Sequence, residues 1–152
     1  MLIAGQAAVV QAGEGSAVDL GVLSMRMIAG GEDMTGRGFT LAEFSGSQSG
    51  AWTVPHVHRG FEESFYVLDG RFVFTVGEEQ RDATPGTYIL VPRGTAHMIT
   101  AEEGGGRFLT LMVPGGLEDM FFELGQLGPD AIRDPVARAA VSARYDSIPV
   151  TS

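Results

Sequence analysis

The composition of this 152-residue chain excludes several classes of protein before any motif is considered. A formal net charge of −9 argues against a surface for nucleic acid or anionic membranes, because both need a basic footprint. The absence of cysteine excludes disulfides, zinc–thiolate sites and cysteine nucleophiles, and the absence of lysine excludes Schiff-base chemistry. The length predicts one domain over residues 1–152, large enough to bury its own core.

The sequence also indicates where the protein works. Residues 1–5 lack the basic segment and the apolar run of a signal peptide. No stretch of the chain approaches the length of a membrane span. We therefore expect a cytoplasmic protein.

Short runs of strand-forming residues, separated by turn residues, follow one another from about residue 19 to residue 113. Apart from the segments around the histidines, we predict strands over residues 19–29, 39–44, 64–68, 71–76, 87–91, 96–100 and 107–113. Asp69 and Gly70 are predicted to form a two-residue hairpin turn, because glycine accepts a positive φ. Residues 102–106 are predicted to form a solvent loop. So many short strands predict a sandwich or a barrel.

After residue 116 the hydrophobic period changes from that of a strand to that of a helix. The apolar residues at helical spacing are Leu117, Met120, Phe121, Leu124 and Leu127. A second helix is predicted to begin at Asp134 and Pro135, because an N-cap aspartate followed by proline is typical of a helix start. We expect both helices, within about residues 116–146, to pack outside the barrel or over one end.

The three histidines fall in two short segments of the chain. His56 and His58 are two residues apart, so in a strand both imidazoles point to the same face. Glu63 follows on the next predicted strand, with Glu62 as the neighbouring alternative, and His97 lies downstream. Three imidazoles and a carboxylate are a ligand set for a divalent transition metal, and Fe, Mn, Ni, Co, Cu and Zn all accept it.

The spacing of these residues resembles the two sequence motifs of the cupin superfamily. The first motif, G-x5-H-x-H-x4-E-x6-G, is filled without a gap by Gly50, His56, His58, Glu63 and Gly70. The second, G-x5-P-x-G-x2-H-x3-N, is filled by Gly86, Pro92, Gly94 and His97, with Ala101 in place of the final asparagine. From about residue 31 to residue 124 the layout is similar to small quercetin-dioxygenase-like cupins.

The resemblance implies an all-β fold, the cupin jelly-roll barrel, with a barrel core over about residues 19–113 and two short C-terminal helices. It also implies that His56, His58, Glu63 and His97 bind one metal ion with positions left open for water or substrate. The six-residue gap to Gly70 favours Glu63 over Glu62 as the fourth ligand.

Apolar residues on the predicted strands suggest a pocket for an apolar or aromatic small molecule. The candidates for its lining are Phe65, Phe72, Phe74, Leu90, Met98, Ile99, Leu109 and Leu111, with Trp52 and Phe61 near the first motif. Each of them alone is more simply explained as core packing.

Three functions are compatible with the metal site that the resemblance implies. The first is an oxidoreductase, a dioxygenase acting on a small aromatic or enol-containing metabolite. Glu63 would hold the metal, and would also accept a substrate proton if it leaves the metal or binds it through one oxygen. The second is a non-redox cyclase, isomerase or lyase, and the third is a metal- or ligand-binding module without turnover. We expect a homodimer through the N-terminal strands, because an open sheet edge favours pairing.

Overall fold

The computed structural model describes residues 7–151, so residues 1–5, considered above for a signal peptide, lie outside it. The strands are β1 (Ser16–Asp19), β2 (Ser24–Ala29), β3 (Thr40–Gly46), β4 (Gly50–Ala51), β5 (His56–Val57), β6 (Glu62–Val76), β7 (Glu79–Ala83), β8 (Tyr88–Val91), β9 (His97–Val113) and β10 (Ile148–Pro149). The helices are α1 (Gly31–Thr35), α2 (Glu118–Gly125) and α3 (Pro135–Ser142), with a 3-10 turn at Ala131–Arg133. Within the described residues, no helix combines the length and the apolar character needed to cross a bilayer.

The strands form one antiparallel sheet that is organised around the two long strands, β6 and β9. These two strands pair with each other, and β9 also pairs with β3, β4 and β5, while β6 pairs with β7 and β8. The β1–β2 hairpin extends one side through β3, and β10 adds to β5. The prediction of an all-β jelly roll with two C-terminal helices is confirmed.

Gly70 does not form the predicted hairpin turn, because β6 continues straight through it. The chain reverses at Gly77 instead, between β6 and β7. Gly70 has φ of 78°, which suits a turn and a bulge equally well. A Cβ atom at Gly70 would lie 2.1 Å from the carbonyl oxygen of Gly105, so this glycine permits the close approach of β6 and β9.

The predicted solvent loop over residues 102–106 is part of strand β9 and shifts its register. Gly70 of β6 pairs with Gly106 of β9. Phe72, two residues further along β6, pairs with Ala101, which lies five residues before Gly106 in β9. These two spacings differ by an odd number of residues. The set of alternate β9 residues that faces the core therefore changes at this point. The buried residues are His97, Ile99 and Ala101 before the offset, and Phe108, Thr110 and Met112 after it.

The register shift explains part of the outcome for the predicted lining residues. Three of the ten line the interior cavity: Trp52, Phe65 and Ile99. Phe61, Phe72 and Phe74 are buried in the core and do not line it. The prediction is wrong for Leu90 and Leu111, which are 52% and 38% exposed on the outer face. Met98 and Leu109 are only partly buried.

The C-terminal helices pack as their sequence pattern predicts. The apolar stripe of α2 faces the core: Leu117, Met120 and Leu124 are buried, with Phe121 and Leu127 packed against them. The backbone N–H of Val136 donates to the Asp134 carboxylate at 2.9 Å, which caps the start of α3.

A buried carboxylate joins α2 to the barrel. Glu118, in the first turn of α2, accepts hydrogen bonds from the Thr40 hydroxyl at 2.6 Å, the Gly116 N–H at 2.7 Å and the Gly31 N–H at 2.9 Å. Burial alone would raise the pKa of Glu118, but these hydrogen bonds outweigh it and the pKa is lowered. The charged carboxylate is therefore part of the folded structure.

Candidate metal centre

The structure brings the four predicted ligand residues together at one point inside the barrel. His56 on β5 is paired directly with His97 at the start of β9. His58 lies just beyond β5, and Glu63 lies near the start of β6. One ligand atom from each of the four lies within 4.8 Å of the other three. All four side chains are buried.

All three imidazoles are oriented by backbone carbonyl groups. Each Nδ1 lies within hydrogen-bond distance of a carbonyl oxygen: 2.7 Å for His56 to Val54, 2.5 Å for His58 to Asp146, and 3.1 Å for His97 to Thr95. A carbonyl oxygen only accepts, so each Nδ1 carries the proton and donates it. This leaves the Nε2 lone pairs free to bind a metal ion, as in metal sites with ordered outer hydrogen bonds.

Glu63 offers a carboxylate oxygen beside these nitrogens. Its Oε2 lies 3.0 Å from Nε2 of His97 and 3.1 Å from Nε2 of His58. The Nε2 atom of His58 is buried and has no hydrogen bond to any described residue. A metal ion between this nitrogen and the Glu63 oxygen 3.1 Å away would give both buried atoms a partner.

The protonation states of the site suit metal binding. Burial, together with the neighbouring His97, lowers the pKa of His56 to about 4, so this imidazole is neutral at pH 7. Burial alone would raise the pKa of Glu63, but His58 and His97 hold it well below its ordinary value. Burial lowers the pKa of His58, but the Glu63 carboxylate outweighs burial and the net shift is upward. A metal ion would therefore compete with a proton at His58.

Glu62 and Ala101 both lie outside this group of donor atoms. Glu62 is on the opposite face of β6 from Glu63, and its carboxylate accepts a hydrogen bond from Nε of Arg93 at 2.9 Å. The choice of Glu63 from the motif spacing therefore agrees with the geometry. Ala101, at the position of the motif asparagine, is buried in β9 opposite Gly50 and offers no polar side-chain atom.

The sequence was compared with models of known protein families. A family model described as the cupin domain matches residues 45–114, the segment that carries all four donors. Residues 45–114 of the chain are a cupin domain. The match ends before α2, so α3 and β10 lie outside it.

Two enzymes with curated names are similar in sequence to this cupin. Quercetin 2,3-dioxygenase of Aspergillus japonicus is 31% identical over 107 residues, which is 66% of this chain and 31% of that protein. Quercetin 2,3-dioxygenase of Bacillus subtilis is 27% identical over 117 residues, which is 77% of this chain and 34% of that protein. The cupin spans about a third of the length of these relatives.

Solved structures share the fold at low sequence identity. KdgF from a Halomonas species matches with a TM-score of 0.65 and 19% identity, covering 75% of this cupin and 99% of that chain. A nucleoside dehydratase from Streptomyces matches with a TM-score of 0.59 and 15% identity, covering 75% of this cupin and 88% of that chain. At these identities the likeness shows the fold alone.

The donor atoms of the cupin face a cavity of about 440 Å³. Its volume is in the range of sites for small organic molecules. Most of the lining is apolar and includes Leu20, Leu23, Phe44, Trp52, Ile99 and Met120.

Asp146 positions the site in a way that sequence reasoning missed. Its carboxylate accepts the backbone N–H groups of Arg59 at 2.9 Å and Gly60 at 2.5 Å, and its carbonyl accepts from His58. Strand β10 continues this contact by pairing with β5. Asp146 is 88 residues from His58 along the chain, and no motif or spacing connects the two.

Replacing Asp146 with alanine is expected to weaken metal binding about 10- to 100-fold, because the loop that orients His58 loses its anchor. Competition against a chromophoric chelator measures the change for Zn²⁺ or Ni²⁺. Asp130→Ala is the matched control, since Asp130 precedes the same C-terminal segment and caps nothing with its side chain. Equal affinities for the two folded variants would contradict the positioning role of Asp146.

Proposed function

We propose that His56, His58, Glu63 and His97 hold one divalent transition metal ion. The proposal rests on the four clustered ligand atoms, the low pKa of Glu63 and the buried Nε2 of His58 that makes no hydrogen bond. Such a donor set does not select among Fe, Mn, Ni, Co, Cu and Zn. When bound, a metal ion of this kind acts as a Lewis acid and lowers the pKa of a hydroxyl group that it contacts.

We infer that the protein is a metal-dependent oxidoreductase, a dioxygenase acting on a small aromatic or enol-containing metabolite. The observation that carries this proposal is the position of the donor atoms on the wall of a mostly apolar cavity. The similarity to two quercetin 2,3-dioxygenases supports it. This chain covers about a third of the length of those enzymes, so their substrate is a hypothesis for this chain.

Different residues of the cavity bind the substrate and accept its proton. Trp52, Phe65 and Phe108 line the cavity and provide apolar surface that binds a ring and excludes water. Glu63 is the only carboxylate among the described lining residues, so an oxygen of Glu63 that does not hold the metal is the acceptor for a hydroxyl or enol proton, whose own pKa the bound metal would lower.

Oxygen consumption tests this proposal directly. Protein purified without a His tag or a chelator is stripped, reloaded with Fe, Mn, Co or Ni, and assayed against a panel of flavonols in an oxygen electrode. We expect oxygen uptake with stoichiometric loss of substrate for at least one metal. No uptake with any of the four metals would contradict a dioxygenase. Turnover of a small metabolite with Zn²⁺ and without oxygen would favour a cyclase, isomerase or lyase instead.

We also propose a cytoplasmic homodimer formed through the N-terminal strands. Strand β1 pairs only with β2, so its outer edge is open to a second chain among the described residues. The molar mass in solution tests this assembly.

A further inference from the structure

One face of α3 completes the cavity and lies outside the matched cupin domain. The lining residues on this helix are Pro135, Arg138, Ala139 and Ser142. Their spacing of three, one and three residues places them on one side of a helix. Arg133, directly before the helix, lines the same part of the cavity. We call this set the α3 wall.

The α3 wall carries two arginines without a carboxylate partner. Seven of the ten arginines lie within 4.0 Å of a carboxylate oxygen. Among the described residues, the other three are Arg59, Arg133 and Arg138. In a chain with 19 acidic residues, it is informative that two of the three arginines without a partner line the same cavity.

Arg138 is the better placed of the two for binding a ligand inside the cavity. It is half-buried, whereas Arg133 is exposed. Burial lowers the pKa of the Arg138 guanidinium, but arginine remains charged at neutral pH. A partly buried charge without a partner is unfavourable, and a bound anion would compensate it.

We propose that the cavity binds an apolar or aromatic carboxylic acid, with its carboxylate on Arg138 and its apolar part against the interior residues. Arginine presents two parallel N–H groups that match the two oxygens of a carboxylate. The inference rests on the proposed function in one respect, namely that this cavity is the substrate site. It narrows the substrate from any apolar molecule to an organic anion, and makes Arg138 a specificity-determining residue.

Binding of a matched pair of ligands tests the proposal. 2-Naphthoate and 2-naphthamide have nearly the same shape and differ in charge. Isothermal titration calorimetry on metal-free protein is expected to show 2-naphthoate binding roughly tenfold or more tighter than 2-naphthamide, as for a charge-assisted hydrogen bond. In Arg138→Gln the preference should disappear while the affinity for 2-naphthamide stays the same.

Arg144→Gln is the control for the loss of positive charge near the cavity. Arg144 follows α3, pairs with Glu123 and does not line the cavity, so this variant should keep the preference for the carboxylate. Arg138→Lys retains the charge without the paired donors and should give an intermediate preference. This variant also serves if Arg138→Gln does not fold.

Several results would overturn the proposal. These are equal affinity of the wild-type protein for the two ligands, binding of neither, or equal weakening of both in Arg138→Gln. A preference for 2-naphthoate that appears only in metal-loaded protein would assign the carboxylate to the metal centre and would also overturn it. Because the measurement uses metal-free protein, its outcome is independent of whether the metal centre supports oxygen chemistry.

Discussion

Replacing His58 with alanine is expected to reduce bound metal from about one ion per chain to less than about a tenth of an ion. The substitution removes one of four donors and leaves a gap at the centre of the group. His58 lies between β5 and β6 rather than within a strand, and the core does not depend on it, so the loss of stability should be modest. Elemental analysis of protein loaded with metal and desalted measures the occupancy, and thermal unfolding measures the stability.

The neighbouring Arg59→Ala is the matched control for His58→Ala. Arg59 lies in the same loop, is exposed and has no carboxylate partner for its side chain, so this variant should keep the metal. A His58→Ala protein that is folded and fully loaded would show that His58 is not a ligand. A variant that unfolds together with the loss of metal would point instead to a structural role for His58.

The second large effect is expected at Glu63, where glutamine keeps the shape and removes the charge. Glu63→Gln should lower metal affinity by roughly 100-fold or more and reduce turnover to about a hundredth or less, because both a ligand and the proton acceptor are lost. Glu62→Gln should change neither quantity. Its pair with Arg93 is exposed to solvent, and the side chain points away from the site.

The pair of glutamate variants separates the two adjacent candidates. Chelator competition measures the affinity, and turnover of whichever substrate the oxygen assay identifies measures the activity. Loss of metal in Glu62→Gln with retention in Glu63→Gln would show that the assignment is reversed. Loss of activity with full metal affinity in Glu63→Gln would make Glu63 a base without a role as a ligand.

The positions of the four donor residues could be predicted because they follow from local geometry. His56 and His58 share a face through the alternation of an extended chain, and the motif spacing selects Glu63 over Glu62. His97 is remote in sequence, and only the family resemblance placed it with the others. The helices could be predicted for a similar reason, since the cap at Asp134 and the apolar stripe of α2 are contained in short segments.

What could not be predicted depends on contacts between distant segments. Gly70 has a conformation that fits a turn, and only its approach to Gly105 shows that it belongs to a bulge. The reversed alternation of β9 follows from this contact, and it places Leu111 on the outer face. Asp146 and Arg138 lie on a segment that carries no motif, so no sequence pattern indicates that they lie near the donors.

The segment from α3 to β10 touches both the metal centre and the ligand cavity. Asp146 holds the His58 loop, and a few residues earlier Arg138 faces the cavity. Reciprocity requires that a ligand which changes the affinity for the metal through this segment is itself bound with an affinity that the metal changes by the same factor. Metal and organic anion should each raise the affinity for the other by the same factor. The protein would then hold its metal most tightly while its substrate is bound, although Arg138 itself coordinates nothing.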